Sequence, residues 1–162
     1  MKKLRVALVM GSKTDLKVMM EAAKALTQFK IVYDIKIVSA HRTPEDMVQF
    51  AKTAASKYQL IIAGAGGAAH LPGMIASLTT LPVIGVPVTT TNLKGLDALL
   101  SIAQMPKGVP VATVAIDNAH NAGVLAARIL GLLDHKVAQK LIRFQKLQKQ
   151  KVKAMNRLLK SR

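Results

Sequence analysis

The chain of 162 residues has no cysteine and no tryptophan, only two tyrosines and three phenylalanines, and eight acidic residues against twenty-four basic ones. Without cysteine there is no disulfide, no thiolate nucleophile and no zinc–thiolate site. With so few aromatic rings, the core must be built from Val, Ile, Leu, Ala and Met. No apolar run reaches the roughly 18 residues of a membrane span, so no membrane association is expected. The start, Met1-Lys2-Lys3-Leu4-Arg5, is basic, but the apolar run Val6 to Met10 meets Gly11-Ser12-Lys13. That is too short for a signal sequence, and a cytoplasmic protein is expected.

Apolar residues make up 51% of the chain, which argues against disorder. The length suits one domain with a substantial core. Of the net charge of +16, ten Lys or Arg and no acid lie between Lys136 and Arg162. The rest of the chain holds fourteen basic and eight acidic residues, or +6, so most of the excess belongs to the C-terminal stretch. Such a surface attracts polyanions by counterion release. Its single aromatic residue, Phe144, leaves nothing for bases to stack on. Nucleic-acid binding is therefore not expected as the primary function.

Apolar runs alternate with helical spacing along the chain. Strands are expected at Leu4 to Met10, Tyr33 to Val38, Leu60 to Ala65, Pro82 to Val86 and Val109 to Ile116. Between them, helices are expected from Thr14 or Asp15 to Phe29, from Pro44 to Tyr58, around Met74 to Leu78, from Leu96 to Gln104, and from Asn118 or Asn121 to Leu132. Thr43 reads as an N-cap, with Pro44 at the first helical position and Glu45 and Asp46 facing the helix dipole. Asp134 to Leu159 reads as one long helix with an apolar stripe and basic flanks. The pattern predicts an α/β three-layer sandwich with a five-stranded parallel sheet, flavodoxin-like or Rossmann-like. Residues 1–133 would form a single α/β catalytic domain, and the basic helix 134–162 would pack on that domain or on a neighbouring subunit.

Three loops stand out, each following a strand: Gly11 to Asp15, Ser39 to Pro44, and Gly64 to Gly73. In a parallel sheet the strand ends share one rim, where ligands bind. The second loop puts His41, a proton donor or acceptor, beside Arg42, which grips phosphate or carboxylate by a fork of bonds. The first offers Ser12 and Thr14 to phosphate and Asp15 to a ribose hydroxyl. It lacks the spacing of a Walker loop, and a plain helix cap would use the same residue types. In the third, Gly66-Gly67-Ala68-Ala69 bares its backbone to a flat ligand, or simply makes a tight turn. His70 is a cap or core residue on its own, but at the same rim as His41 it becomes a site candidate. Two histidines without converging carboxylates make a poor metal site, and none is expected. Ser39 and His41 lack an orienting acid for nucleophilic catalysis. The methionines read as core filler.

Four stretches together resemble the PurE family of purine biosynthesis: Met10 to Asp15, Ser39 to Pro44, Gly64 to Gly73, and Leu99 to Pro106. The similarity runs from about residue 4 to residue 132. Arg42-Thr43-Pro44 has the form of the class I mutases, where class II carboxylases carry Lys-Gly-Pro. The resemblance implies transfer of a carboxylate from the exocyclic nitrogen to carbon 4 of an aminoimidazole ribonucleotide, with no metal, biotin or ATP. It implies that Ser12, Thr14, Ser39 and Arg42 hold the phosphate and Asp15 the ribose. His41 would transfer the proton with His70 as the second catalytic residue. Ala40, Gly66, Gly67, Ala68 and Leu71 would complete the substrate site, and the chain would assemble as an octamer. This chain has Thr14 where the family usually has Ser, Leu16 where it has Trp, and Ala98 where it has Ser. Asp117-Asn118-Ala119-His120 also departs from the small residues usual there.

Overall fold

The computed structural model describes residues 4–90 and 92–160. The basic start at Met1 to Lys3, Thr91 of the polar loop Thr89 to Gly95, and the tail residues Ser161 and Arg162 lie outside the described residues. Five strands form one parallel sheet: β1 (Arg5–Met10), β2 (Val32–Ile37), β3 (Leu60–Gly66), β4 (Val83–Val88) and β5 (Ala112–Thr113), in the order β2-β1-β3-β4-β5. Among the described residues, six α-helices accompany them: α1 (Leu16–Gln28), α2 (Pro44–Thr53), α3 (Leu71–Ala76), α4 (Leu96–Ala103), α5 (Ala119–Gly131) and α6 (His135–Lys160). This is the expected α/β sandwich, in the flavodoxin-like strand order.

Alternation along the central strands builds two cores. Val6, Leu8 and Met10 of β1, with Leu60 and Ile62 of β3, face α1 and α5. Ala7 and Val9, with Ile61, Ala63 and Ala65, face α2, α3 and α4. Because the side-chain period of a strand is two, a stretch buried on both faces must be apolar throughout, as Val6 to Met10 and Leu60 to Ala65 are. On the first face, small residues let helices approach closely. A Cβ added at Gly123 of α5 would stand 2.6 Å from the Cβ of Ala25 and 2.8 Å from the Ala22 carbonyl oxygen of α1.

The carboxylate of Asp134 accepts the N–H groups of Lys136 and Val137 and so caps α6. Val137 is buried, and the Phe144 ring meets Phe29 edge-on with centroids 5.6 Å apart. The apolar stripe then runs on through Val152, Met155, Leu158 and Leu159, all exposed. At the β2 edge, Asp34 accepts from Arg5 at 2.6 Å, from Lys57 at 2.5 Å and from the Tyr58 hydroxyl at 2.9 Å.

Some boundaries differ from the sequence expectation. β5 keeps two residues of the eight expected. Pro110 has no N–H to donate, and Gly108 turns with φ 98°, so pairing starts late. It ends early because Asp117 turns the chain with φ 56°. α2 tightens into a 3-10 turn at Ala54–Ser56 before reaching Tyr58. α3 begins at Leu71, three residues before the expected start, with Pro72 in its first turn, where a missing N–H costs nothing.

Candidate active site

β1 goes to β2 on one side, and the chain then crosses over to β3 on the other. This makes the β1–β3 boundary the switch point at which open α/β sheets bind ligands. A cleft of about 380 Å³ lies there.

At the end of β1, Ser12 caps a single 3-10 turn, Lys13–Asp15. Its hydroxyl accepts the Thr14 N–H at 3.3 Å, and the Asp15 carboxylate accepts the Ser12 N–H at 3.2 Å. The Thr14 hydroxyl donates to the same carboxylate at 3.2 Å. A reciprocal box between Ser12 and Asp15 thus caps the 3-10 turn, and Asp15, one of the two expected caps of α1, holds that helix's N-cap position without a side-chain capping bond to it. Asp15 is only 3% exposed. Burial pushes its carboxyl above the ordinary carboxylate range, against the bonds from Thr14, Ser12 and Gly11 and the charge of Arg42, which pull it down.

After β2, the backbone N–H and Nε of Arg42 both donate to the Ser39 hydroxyl, at 3.2 and 3.3 Å, and its Nη2 donates to the Gly11 carbonyl at 2.9 Å. The guanidinium thus ties the β2 loop to the β1 loop. Thr43 holds the N-cap position of α2, but its hydroxyl donates back to the Ser39 carbonyl at 3.3 Å and does not cap the helix. Nε2 of His41 lies 2.8 Å from Nδ1 of His70, with the rings at 87°. Two imidazole nitrogens at that distance share one proton, donated by one ring and accepted by the other.

After β3, Gly66 has no room for a side chain: a Cβ would stand 2.3 Å from the Thr90 hydroxyl oxygen and 2.7 Å from the Val88 carbonyl oxygen. Gly67 turns with φ 64°, a conformation open to glycine at no cost.

The cleft brings together Ser12, Thr14, Asp15, Ser39, Ala40, His41, Arg42, Gly66, Ala68, His70 and Leu71. Gly67 makes the turn but does not line the cleft. Gly11 and Ala65, from the first and third of the sequence-predicted loops, also line it, and so does Thr90, which lies outside all three. Thr90 was findable, because it follows β4 at the same rim as the three chosen loops. One end of the cleft gathers hydroxyls and a guanidinium, suited to an anion. The other holds two imidazoles beside a bare peptide turn, suited to proton transfer on a flat ligand. Among the described residues, no group of three or more His, Asp or Glu is gathered as a metal site would need.

Residues 5–151 match the AIR carboxylase family. The N5-carboxyaminoimidazole ribonucleotide mutase of Thermotoga maritima is 59% identical over 149 residues, 91% of this chain and 87% of that protein. The protein of the same name from Pyrococcus horikoshii is 60% identical over 148 residues, 91% of this chain and 84% of its own. The crystal structure of Treponema denticola PurE superposes with a TM-score of 0.90 at 31% identity, covering 98% of this chain and 99% of that one. With the family matched over nearly the whole length, and sequence and fold agreeing, the chain belongs to the AIR carboxylase, or PurE, family.

Proposed function

We propose that this protein is an N5-carboxyaminoimidazole ribonucleotide mutase of purine biosynthesis. Its substrate would be the N5-carboxylated aminoimidazole ribonucleotide and its product the 4-carboxy isomer. The observation that carries this reading is the single cleft in which an anion-binding end, built on Ser12, Thr14, Ser39 and Arg42, adjoins the His41–His70 pair and the Gly66 turn. Relatives named as mutases, about 60% identical, support it.

In this reading the phosphate lies against the hydroxyls of Ser12, Thr14 and Ser39 and the guanidinium of Arg42. The ribose lies by Asp15, and the imidazole lies over Ala40, Gly66, Ala68 and Leu71. Protonated His41 gives its proton to the carbamate nitrogen as the nitrogen–carbon bond breaks and carbon dioxide leaves. Carbon 4, made nucleophilic by the freed exocyclic amine, attacks the trapped carbon dioxide. His41 then takes the ring proton and is restored. Holding both fragments in the cleft removes the entropic cost of a fresh encounter. The peptide dipoles of the Gly66 turn stabilise the carboxylate charge. Nε2 of His41 is engaged by His70. Proton delivery from that nitrogen therefore needs substrate to take His70's place, and His70 holds the ring ready until then.

We also propose a cytoplasmic homo-octamer, as the family resemblance implies. Exposed apolar side chains at Ile37, Leu158 and Leu159 support burial between subunits. Light scattering on the purified protein and cell fractionation test these two statements.

The decisive experiment offers the purified protein two substrates: the N5-carboxylated ribonucleotide, or aminoimidazole ribonucleotide with bicarbonate. Turnover of the first at a much higher kcat/KM is expected. Efficient use of only the second would replace the mutase reading with direct carboxylation.

A further inference from the structure

We propose that Thr90 is a further substrate-contacting residue, whose hydroxyl donates a hydrogen bond to the carboxylate being moved. This rests on the mutase reading above.

Thr90 lines the cleft just beyond the end of β4. Gly66, the last residue of β3, is the register partner of Val88, the last residue of β4. Two residues on, the Thr90 side chain fills the space that a Gly66 side chain would need. A Cβ at Gly66 would lie 2.3 Å from Oγ1 and 2.5 Å from Cγ2. A hydroxyl therefore stands directly over the bare peptide.

The position in the sheet says which part of the ligand it meets. Ser12, Thr14, Ser39 and Arg42 follow β1 and β2, on one side of β3, whereas Thr90 follows β4, on the other. A nucleotide with its phosphate over β1 and β2 points its heterocycle, and the carboxylate on it, toward β4. A threonine hydroxyl there supplies the donor that an anionic oxygen needs, and hydrogen bonds to ionised groups are the stronger kind.

The residue is also held in place. The carboxylate of Asp117 accepts the Thr89 N–H at 2.9 Å, and the Asp117 N–H donates to the Pro87 carbonyl at 2.9 Å. Asp117 thus brackets the end of β4 immediately before Thr90. Its φ of 56° is one that aspartate tolerates better than most residues. The methyl of Thr90 restricts the rotamer that aims the hydroxyl.

The test uses Thr90→Val, which keeps the shape and loses the donor, and Thr90→Ser, which keeps the donor. For each full-length protein, calorimetry measures the Kd of 4-carboxyaminoimidazole ribonucleotide and of aminoimidazole ribonucleotide, which lacks the carboxylate. Turnover of the N5-carboxylated substrate is measured alongside. Thr90→Val should weaken the carboxylated ligand by about tenfold or more, leave the other within about twofold, and lower kcat by about ten- to a hundredfold. Thr90→Ser should restore all three to near wild type. If Thr90→Val weakens both ligands equally, or neither, the contact is refuted. Wild-type protein that shows this discrimination but no mutase turnover would sink the mutase reading and keep Thr90. A competent mutase without the discrimination would do the reverse.

Discussion

His41 and His70 are 29 positions apart in sequence, yet Nε2 of the first lies 2.8 Å from Nδ1 of the second. One follows β2 and the other follows β3, and their rings meet edge to face at 87°. Since a single proton serves that contact, the state of one ring sets the donor or acceptor role of the other.

Replacing His41 by Asn should lower turnover by roughly a thousandfold, within the range lost with a general acid–base group. Binding of aminoimidazole ribonucleotide should persist, because the anion-binding end is untouched. His70→Ala should cost less, roughly ten- to a hundredfold, since it removes the partner and leaves the proton carrier. Near-normal turnover in His41→Asn would remove His41 from its role.

Arg42 bridges Ser39 and Gly11 through three hydrogen bonds. Arg42→Ala should weaken ribonucleotide binding by about ten- to a hundredfold, with a smaller effect on kcat. Arg42→Lys should rescue little of this, because a point charge cannot reproduce the fork. Calorimetry with the ribonucleotide against its dephosphorylated nucleoside checks it. Equal losses for both would show that Arg42 does not hold the phosphate.

Asp34 should make stability depend on acid. The hydrogen bond from Lys57, together with Tyr58 and the charge of Arg5, holds its carboxyl below the ordinary value. A depressed acid contributes stability that is present above its unfolded value, near 3.8, and is lost as pH falls through the folded one. Asp34→Asn should therefore cost about 1–2 kcal/mol at pH 7 and progressively less in acid below pH 4. Asp15 works in the opposite direction. Burial raises its carboxyl, so its contribution grows less favourable as pH rises from 3.8 through the raised value. Asp15→Asn should flatten that part of the profile. Urea unfolding of the three proteins across pH 3 to 7 measures both slopes. Parallel curves for wild type and Asp34→Asn would refute the first statement.

Gly123 sits where α5 touches the Ala22–Ala25 stretch of α1. Alanine usually gains up to about 1 kcal/mol over glycine inside a helix. Here its Cβ would press on the Ala25 Cβ and the Ala22 carbonyl oxygen, neither of which is the end of a flexible side chain. Gly123→Ala should be destabilising by about 1–3 kcal/mol and Gly123→Val by more. A rise in Tm for Gly123→Ala would show that the two helices separate freely.

The legible part of the fold was the part carried by local pattern. Val6 to Met10 and Leu60 to Ala65 read as doubly buried strands because nearly every side chain in them is apolar. The rim was legible for the same reason: once the strands were known, the loops after them had to share an edge. β5 was overestimated because Val109 to Ile116 is apolar in composition, while its pairing depends on Pro110, Gly108 and Asp117. Thr90 carries no such local signal, because a threonine-rich loop resembles any solvated connection. Its meaning appears only when Gly66 is found beneath it.

By itself, then, the sequence determined the α/β alternation, the two-sided burial of the central strands and the edge on which the candidate residues lie, since these follow from periodicity over a few neighbouring positions. Only the tertiary structure decided the strand order β2-β1-β3-β4-β5, the bond between His41 and His70, the span of Arg42 from Ser39 to Gly11, and the seat of Thr90 on Gly66. Those are contacts between segments far apart along the chain. They are selected by the summed burial and hydrogen bonding of the whole sheet and its helices, a quantity that no single stretch of residues contains.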